Sequence, residues 1–130
     1  MRVLVVDDMR IIADTLAQIL RNNGFDTFVA YNGETAIATA IEVTPDLLIT
    51  DVFMKDVNGV EAAIHIRMLN PDCKVILCTG RPDLANLLHG DNMEEYSFEL
   101  LHKPVSPHHL LARIRGLCGV PYASEFPHVD

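Results

Sequence analysis

Apolar segments of strand type alternate five times with segments of helical periodicity, and this order constrains the fold more than any other feature of the chain. The strand-type segments are residues 2–6, 27–30, 47–50, 75–78 and 98–101. The third is apolar almost throughout, as is typical of a parallel strand covered on both faces. Parallel strands need crossover connections, which are usually helices and nearly always right-handed. The sequence therefore predicts an α/β protein built from five βα units.

The predicted arrangement is a flavodoxin-like (βα)5 fold, a single doubly wound parallel sheet with strand order 2-1-3-4-5. Helices are expected over residues 10–22, from residue 33 to about residue 43, up to Leu69, from residue 81 onwards, and after Ser106-Pro107. In the second helix we expect Ile41 to belong to the apolar set. In the third helix we expect Met68 on the inner stripe.

Length and composition are those of one globular domain. The 130 residues are 49 % apolar and 22 % charged, which excludes wholesale disorder. We expect one domain over residues 1–119, with residues 120–130 as a C-terminal tail or the remnant of a linker. No apolar stretch approaches the roughly 20 residues that a membrane span needs, and the N-terminus has no signal-peptide pattern. The expected location is the cytoplasm, with no membrane contact.

Charge and cysteine content argue against a nucleic-acid surface and give no reason to expect a disulfide framework or a zinc site. A net charge of −8 with only ten scattered Lys and Arg residues argues against direct nucleic-acid binding by this chain, because phosphate binding needs clustered positive charge. The three cysteines, Cys73, Cys78 and Cys118, have no metal-ligand spacing. We expect reduced thiols in or near the core.

Acidic side chains stand where two of the predicted strands end. Asp7 and Asp8 follow the first strand and Asp51 follows the third, and the carboxyl ends of parallel strands lie on one edge of the sheet, where such sheets bind ligands. Three facing carboxylates repel unless a divalent ion neutralises them, and Mg²⁺ prefers oxygen ligands. Thr79 and Lys103, after the fourth and fifth strands, are donors suited to phosphoryl oxygens.

In these features the chain resembles the receiver domains of bacterial two-component response regulators, similar to chemotaxis regulators. The resemblance covers roughly residues 1–118. It rests on five motifs in order, each at a strand end: Asp7-Asp8, Asp51, the pattern D-x-x-M-x-x-x-x-G from Asp51 through Met54 to Gly59, Thr79-Gly80, and Lys103-Pro104.

The resemblance implies a role for each site residue. Asp51 is the implied phosphoacceptor, which takes a phosphoryl group from a histidine of a partner. Asp8, Asp51 and the backbone carbonyl of Phe53 are the implied ligands of Mg²⁺, with Asp7 acting directly or through water. Lys103 and Thr79 are expected to contact the phosphoryl group, and the Lys103-Pro104 bond is expected to be cis.

The resemblance also implies partner proteins and a surface that changes on phosphorylation. The partners are a histidine kinase or a histidine phosphotransfer protein, and phosphorylation is expected to change the surface of the fourth helix, fifth strand and fifth helix, which is also a possible homodimer interface. Lys55 and Leu100 depart from the family pattern, which commonly has proline and an aromatic residue there. We further hypothesise that Phe53 shields the acyl phosphate and lengthens its life.

Two alternatives stay open at this point. One is an enzyme that turns over small substrates, a Mg²⁺-dependent phosphatase or phosphotransferase with an Asp nucleophile. The other is a receiver severed from a longer DNA-binding regulator or hybrid kinase. In the favoured interpretation the chain is mainly a signalling switch that catalyses its own phosphoryl uptake and loss.

Overall fold

The computed structural model describes residues 1–83 and 98–119, and these form nine regular elements. The strands are β1 (Arg2–Val6), β2 (Asp26–Ala30), β3 (Leu47–Asp51), β4 (Lys74–Thr79) and β5 (Glu99–His102). The helices are α1 (Arg10–Asn22), α2 (Gly33–Val43), α3 (Gly59–Leu69) and α4 (Pro107–Cys118), the last being the fifth helix of the sequence prediction. Each observed strand lies within one residue of its predicted bounds.

The five strands form one parallel sheet in the order β2-β1-β3-β4-β5, which confirms the predicted topology. Successive residues of β1 face opposite sides of the sheet. Leu4 and Val6 belong to a core with residues of α2 and α3, whereas Val3 and Val5 belong to a second core with residues of α1 and α4. The sheet is therefore covered on both faces, as the apolar sequence of its central strands requires.

Two large apolar side chains are more exposed than their periodicity suggests. Ile41 of α2 is 61 % exposed and Met68 of α3 is 73 % exposed. The buried residues of α2 are Gly33, Ala36 and Ala40, and those of α3 include Val60, Ala63 and Ile66. Met68 lies two positions, or about 200° of helix rotation, beyond the fully buried Ile66, so the prediction that Met68 faces inward was wrong. Ile41 belongs to the apolar set of α2, but it lies one position beyond the buried Ala40 and is turned toward solvent.

Polar side chains cap the starts of three helices, at the edge of the sheet where the strands end. Asn32, Asn58 and Ser106 each accept a hydrogen bond from the main-chain amide three residues later, the usual N-cap arrangement. The Lys103-Pro104 peptide bond is cis, as expected. The three caps and the cis bond all lie in loops that follow the carboxyl ends of strands.

Several sequence predictions lie outside the described residues. These are most of the fourth predicted helix, of which only residues 82 and 83 are described and helical, the stretch 90–97, and the tail 120–130.

Among the described helices, none has the length and apolar character to cross a membrane. The three cysteines are free, with Cys73 and Cys78 buried and Cys118 partly exposed.

Candidate functional site

Three carboxylates meet at the carboxyl ends of β1 and β3. Asp7 and Asp8 follow β1, Asp51 is the last residue of β3, and these two strands are neighbours in the sheet. One carboxylate oxygen from each of the three residues lies within 4.8 Å of the other two. Asp7 is buried, and Asp8 and Asp51 are partly exposed. The sheet thus brings Asp51 beside the Asp7-Asp8 pair, from which more than forty positions separate it in the sequence.

Lys103 supplies the positive charge of this cluster. Its Nζ lies 2.7 Å from Oδ2 of Asp7 and 3.3 Å from Oδ1 of Asp51. The side chains of Asp7, Asp51 and Lys103 are 5 %, 13 % and 23 % exposed, so solvent screens these contacts only in part. One lysine against three carboxylates leaves a net negative site, which favours a cation.

Burial and neighbouring charges shift the acid–base properties of the site. Burial raises the pKa of Asp51 above its ordinary value; Lys103 opposes this, and the carboxylates of Asp7 and Asp8 add to it. Burial alone lowers the pKa of Lys103, but the hydrogen bond to Asp7 and the charge of Asp51 outweigh it, so that the pKa of Lys103 is raised. Lys103 therefore stays protonated at neutral pH and keeps its role as the counter-charge.

Thr79 lies at the same rim, at the end of β4. It is buried, its side-chain oxygen accepts a hydrogen bond of 2.9 Å from the Arg81 amide, and its carbonyl accepts one of 2.8 Å from the Lys103 amide. The main chain thus joins Thr79 directly to the residue that contacts the acids. Leu100, in the neighbouring strand, is partly buried and packs against the core on the α2 and α3 side.

The start of α3 packs directly on the main chain of Asp51. A Cβ atom at Gly59 would lie 1.9 Å from the carbonyl oxygen of Asp51, far inside contact distance. The Gly59 amide also donates a 2.7 Å hydrogen bond to the Val52 carbonyl. Only glycine fits here, which explains the glycine of the Asp51–Gly59 motif by close backbone approach rather than by turn geometry. Met54, which shares that motif, packs against the core on the α2 and α3 side.

The periphery of the site includes contacts that the sequence did not reveal. The Asp56 carboxylate accepts hydrogen bonds from the amides of Gly33 and Glu34, more than twenty residues away, and no sequence signal marks that pairing. The Asn58 side chain donates to Glu61 at 2.6 Å while accepting from its amide. The spacing N-x-x-E is close to that of a capping box, so the sequence could have predicted the pairing of Asn58 with Glu61.

An aromatic contact ties the end of β2 to α1. The Tyr31 hydroxyl donates a 2.6 Å hydrogen bond to Asp14, and the guanidinium carbon of Arg10 lies 4.1 Å from the centre of the Tyr31 ring. Such cation–π contacts are favourable by about 0.5–1 kcal/mol at exposed sites. This contact holds α1, which begins two residues after Asp8, against the neighbouring strand.

Two further features border the acidic cluster: the side chain of Phe53 and a largely apolar cavity. Phe53, two residues after Asp51, is 38 % exposed. A cavity of about 510 Å³ runs from the acidic site between α1 and the start of α4, and is lined by residues that include Asp51, Lys103, Ile12, Leu16, Pro104 and Leu110. The phosphoacceptor candidate thus borders a recess large enough for part of another molecule.

Comparison with known proteins agrees with this geometry. The family model described as the response regulator receiver domain matches residues 3–115. The DNA-binding response regulator MtrA of Mycobacterium leprae is 34 % identical over 116 residues, covering 88 % of this chain and 49 % of MtrA. The response regulator MprA of Mycobacterium avium is 32 % identical over 117 residues, covering 90 % of this chain and 50 % of MprA. The chain spans about half the length of these relatives.

Solved structures give the same result. The response regulator receiver domain protein of Clostridium thermocellum superimposes with a TM-score of 0.81 at 28 % identity, covering 91 % of this chain and 94 % of that one. The response regulator TrrA of Thermotoga maritima, solved in complex with Mg²⁺ and BeF, superimposes with a TM-score of 0.73 at 30 % identity, covering 89 % and 97 %.

Proposed function

The chain belongs to the response regulator receiver domain family, and from this premise we propose that it accepts a phosphoryl group on Asp51 with the help of Mg²⁺ and acts as a phosphorylation switch. The observation that carries the proposal is the convergence of Asp7, Asp8 and Asp51 with Lys103 on one rim of the sheet. Strands β1, β3 and β5 deliver these four side chains from three distant parts of the sequence.

The residues present fit Mg²⁺. Three clustered carboxylates provide the hard oxygen ligands that this ion prefers, and Lys103 balances only part of their charge. Asp8, Asp51 and the Phe53 carbonyl would hold the ion. Both carboxylate oxygens of Asp7 already accept hydrogen bonds, from the Met9 amide and from Lys103, which favours contact between Asp7 and the ion through water. When bound, Mg²⁺ would neutralise the acids and stabilise charge on the phosphoryl oxygens.

The chemistry at Asp51 is a displacement at phosphorus. A carboxylate oxygen of Asp51 forms the new O–P bond while the N–P bond of a phosphohistidine breaks, and the electron pair of that bond returns to the imidazole nitrogen. Lys103, 3.3 Å from Asp51, pairs with the transferred phosphoryl oxygens. Thr79 donates its hydroxyl to the product, since an oxygen that accepts the Arg81 amide can still donate its own proton.

The donor is a histidine kinase or a histidine phosphotransfer protein, and the proposed location is the cytoplasm. The output is a population shift between two conformations that phosphorylation biases. The proposed output surface and possible dimer interface include the fourth predicted helix, most of which lies outside the described residues, together with β5 and α4. DNA binding is named for MtrA; because this chain spans about half of MtrA, we propose for it only the receiver role.

Intact-mass spectrometry tests the proposal. Wild type incubated with Mg²⁺ and a small phosphodonor should gain one phosphoryl group, and should gain none when Mg²⁺ is removed by EDTA. Asp51→Asn should gain none under either condition, whereas Asp72→Asn, a change in an exposed turn residue, should behave as wild type. Equal modification of wild type and Asp51→Asn would refute the assignment of Asp51.

A further inference from the structure

The loop between β3 and α3, residues 52–58, is attached to the start of α2. Oδ1 of Asp56 accepts a hydrogen bond of 3.1 Å from the Gly33 amide, and Oδ2 accepts one of 3.0 Å from the Glu34 amide. The helix's own cap, Asn32, accepts from the Thr35 amide at 2.7 Å. Three successive amides in the first turn of α2 therefore find acceptors, but two of those acceptor atoms belong to the loop that follows Asp51.

The same two segments also touch through their backbones. A Cβ atom at Gly33 would lie 2.7 Å from the carbonyl oxygen of Val57 and 2.8 Å from its Cβ atom. Glycine at the first position of α2 thus lets the helix start lie directly against the loop, beside the Asp56 contacts. The attachment therefore consists of two hydrogen bonds to the Asp56 carboxylate and a close packing contact at the adjacent Val57.

This attachment lies midway between two other anchors of the loop. At one end the Val52 amide donates 3.1 Å to the Cys78 carbonyl, and at the other the Gly59 amide donates 2.7 Å to the Val52 carbonyl. Phe53, whose carbonyl is a proposed ligand of Mg²⁺, stands between Val52 and Asp56. Fixing Asp56 shortens the stretch of unattached main chain that carries this carbonyl.

We propose that Asp56 is a positioning residue: by binding the first turn of α2, it holds the β3–α3 loop so that the Phe53 carbonyl and Asp51 are prearranged for Mg²⁺. A negative charge at a helix N-terminus is favourable, and a ligand held in place by its outer contacts loses less conformational freedom on binding. The hydrogen bond from Glu34, together with those from Gly33 and Val57, keeps the pKa of Asp56 below its ordinary value. Asp56 is therefore ionised wherever Mg²⁺ binding is measured.

The chain offers a matched pair of variants, because Asp56 and Asn32 satisfy amides in the same helical turn. Asp56→Ala removes the attachment between loop and helix. Asn32→Ala removes a comparable capping bond but leaves the loop attached. Asp56→Asn keeps one acceptor oxygen and should recover part of the effect. Both alanine variants remove hydrogen bonds from the first turn of α2, so effects of fraying of α2 are expected in both. Only Asp56→Ala also releases the loop, so an effect found in that variant alone reports the loop attachment.

Isothermal titration with Mg²⁺ alone, near neutral pH, is the first measurement. Asp56→Ala should weaken Mg²⁺ binding about tenfold, the lower end of the effect of removing an outer contact of a metal ligand. Asn32→Ala should stay within about twofold of wild type, and Asp56→Asn should fall between. Mg²⁺ affinity of Asp56→Ala within twofold of wild type, or an equal loss in Asn32→Ala, would overturn the proposal.

Amide hydrogen exchange in EDTA is the second measurement and needs no metal. Peptides covering residues 53–57 should exchange faster in Asp56→Ala than in Asn32→Ala, and equal rates would overturn the proposal. This inference rests on the proposed function, and the two fail differently. Absence of Mg²⁺ binding by wild type, or Mg²⁺ binding that survives Asp51→Asn unchanged, sinks the proposed site itself. If wild type binds Mg²⁺ and Asp51→Asn weakens that binding, but Asp56→Ala binds Mg²⁺ as wild type does, only the proposed role of Asp56 is contradicted.

Discussion

Nζ of Lys103 and Oδ2 of Asp7 lie 2.7 Å apart although 96 residues separate them in the sequence. Lys103 follows β5, Asp7 follows β1, and the sheet order places two strands, β3 and β4, between them. The lysine therefore reaches along the rim of the sheet, past Asp51, to the most buried acid. One side chain thus pairs with two of the three carboxylates and offsets part of their repulsion.

The first prediction concerns this lysine. Lys103→Met keeps an apolar stem but removes the charge, so Asp7 and Asp51 lose the positive group that pairs with them. We expect the free energy of unfolding in EDTA to fall by about 2 kcal/mol, the usual cost of losing a hydrogen bond to a charged group. Urea titration measures it. The exposed Lys74 is the control, and Lys74→Met should change the free energy by less than about 0.5 kcal/mol. Similar losses in both variants would contradict the prediction.

The second prediction concerns pH. The pKa of Asp51 is raised in the folded protein, mainly by burial, so its protonated form favours folding. That stabilisation is complete below the ordinary value of 3.8 and is lost as the pH rises through the folded pKa. Asp51→Asn removes this dependence. In EDTA, its stability relative to wild type should therefore increase from acidic to neutral pH, measured by urea titration at each pH.

The control for the pH experiment is Asp72→Asn, which changes an exposed turn residue. It carries the same charge change as Asp51→Asn, so a difference between the two variants reports the site rather than net charge. A stability gain of Asp51→Asn that is constant with pH, or that shrinks toward neutral pH, would show that ionised Asp51 is not disfavoured in the fold.

The third prediction compares two glycines. Gly59→Ala would put a Cβ atom 1.9 Å from the Asp51 carbonyl oxygen, whereas a Cβ at Gly116 would meet nothing within 4 Å. Gly59→Ala should destabilise the protein by at least about 2 kcal/mol, because main chain must move. Gly116→Ala, at an exposed position inside α4, should stabilise it by up to about 1 kcal/mol. Thermal and urea unfolding test this, and a mild effect of Gly59→Ala would contradict the packing.

The fourth prediction concerns the thiols. Burial raises the pKa of Cys73 to about 11 and that of Cys78 to about 12, and burial also raises the pKa of the partly exposed Cys118. Because only the thiolate reacts, iodoacetamide at pH 8 should modify Cys118 first. Cys73 and Cys78 should react at comparable rates only in denaturant. Peptide mass mapping follows each site, and early modification of Cys78 in the native protein would show an open core.

The fifth prediction concerns Phe53, which is 38 % exposed beside Asp51. If its ring shields the acyl phosphate, Phe53→Asn should shorten the phosphoryl lifetime by several-fold while leaving phosphoryl uptake intact. Decay of the phosphorylated mass measures this. Lys55→Asn, at another exposed position of the same loop, is the control, and an unchanged lifetime in Phe53→Asn would remove the shielding role.

The sequence by itself determined the fold and the identity of the candidate site. Five strand-type segments alternating with helical ones predicted a parallel α/β sheet, for which the flavodoxin-like strand order was expected. The five charged or hydroxyl-bearing site residues were recognisable because each one stands at the end of a strand. These signals are local, and the rule that parallel strands end on one rim converts them into proximity. Burial at individual helix positions was less predictable, as Ile41 and Met68 show, because an apolar periodicity does not decide which of several nearby apolar residues faces the sheet.

Only the tertiary structure decided how the site is held together. Lys103 pairs with Asp7 as well as with Asp51, Gly59 is required by contact with the Asp51 main chain, and Asp56 binds the start of α2. The Lys103 and Asp56 contacts join segments far apart in the chain, and the geometry of all three contacts follows from the packing of the loops and helices on the sheet. No local pattern encodes such distances, because they depend on where every intervening element comes to rest.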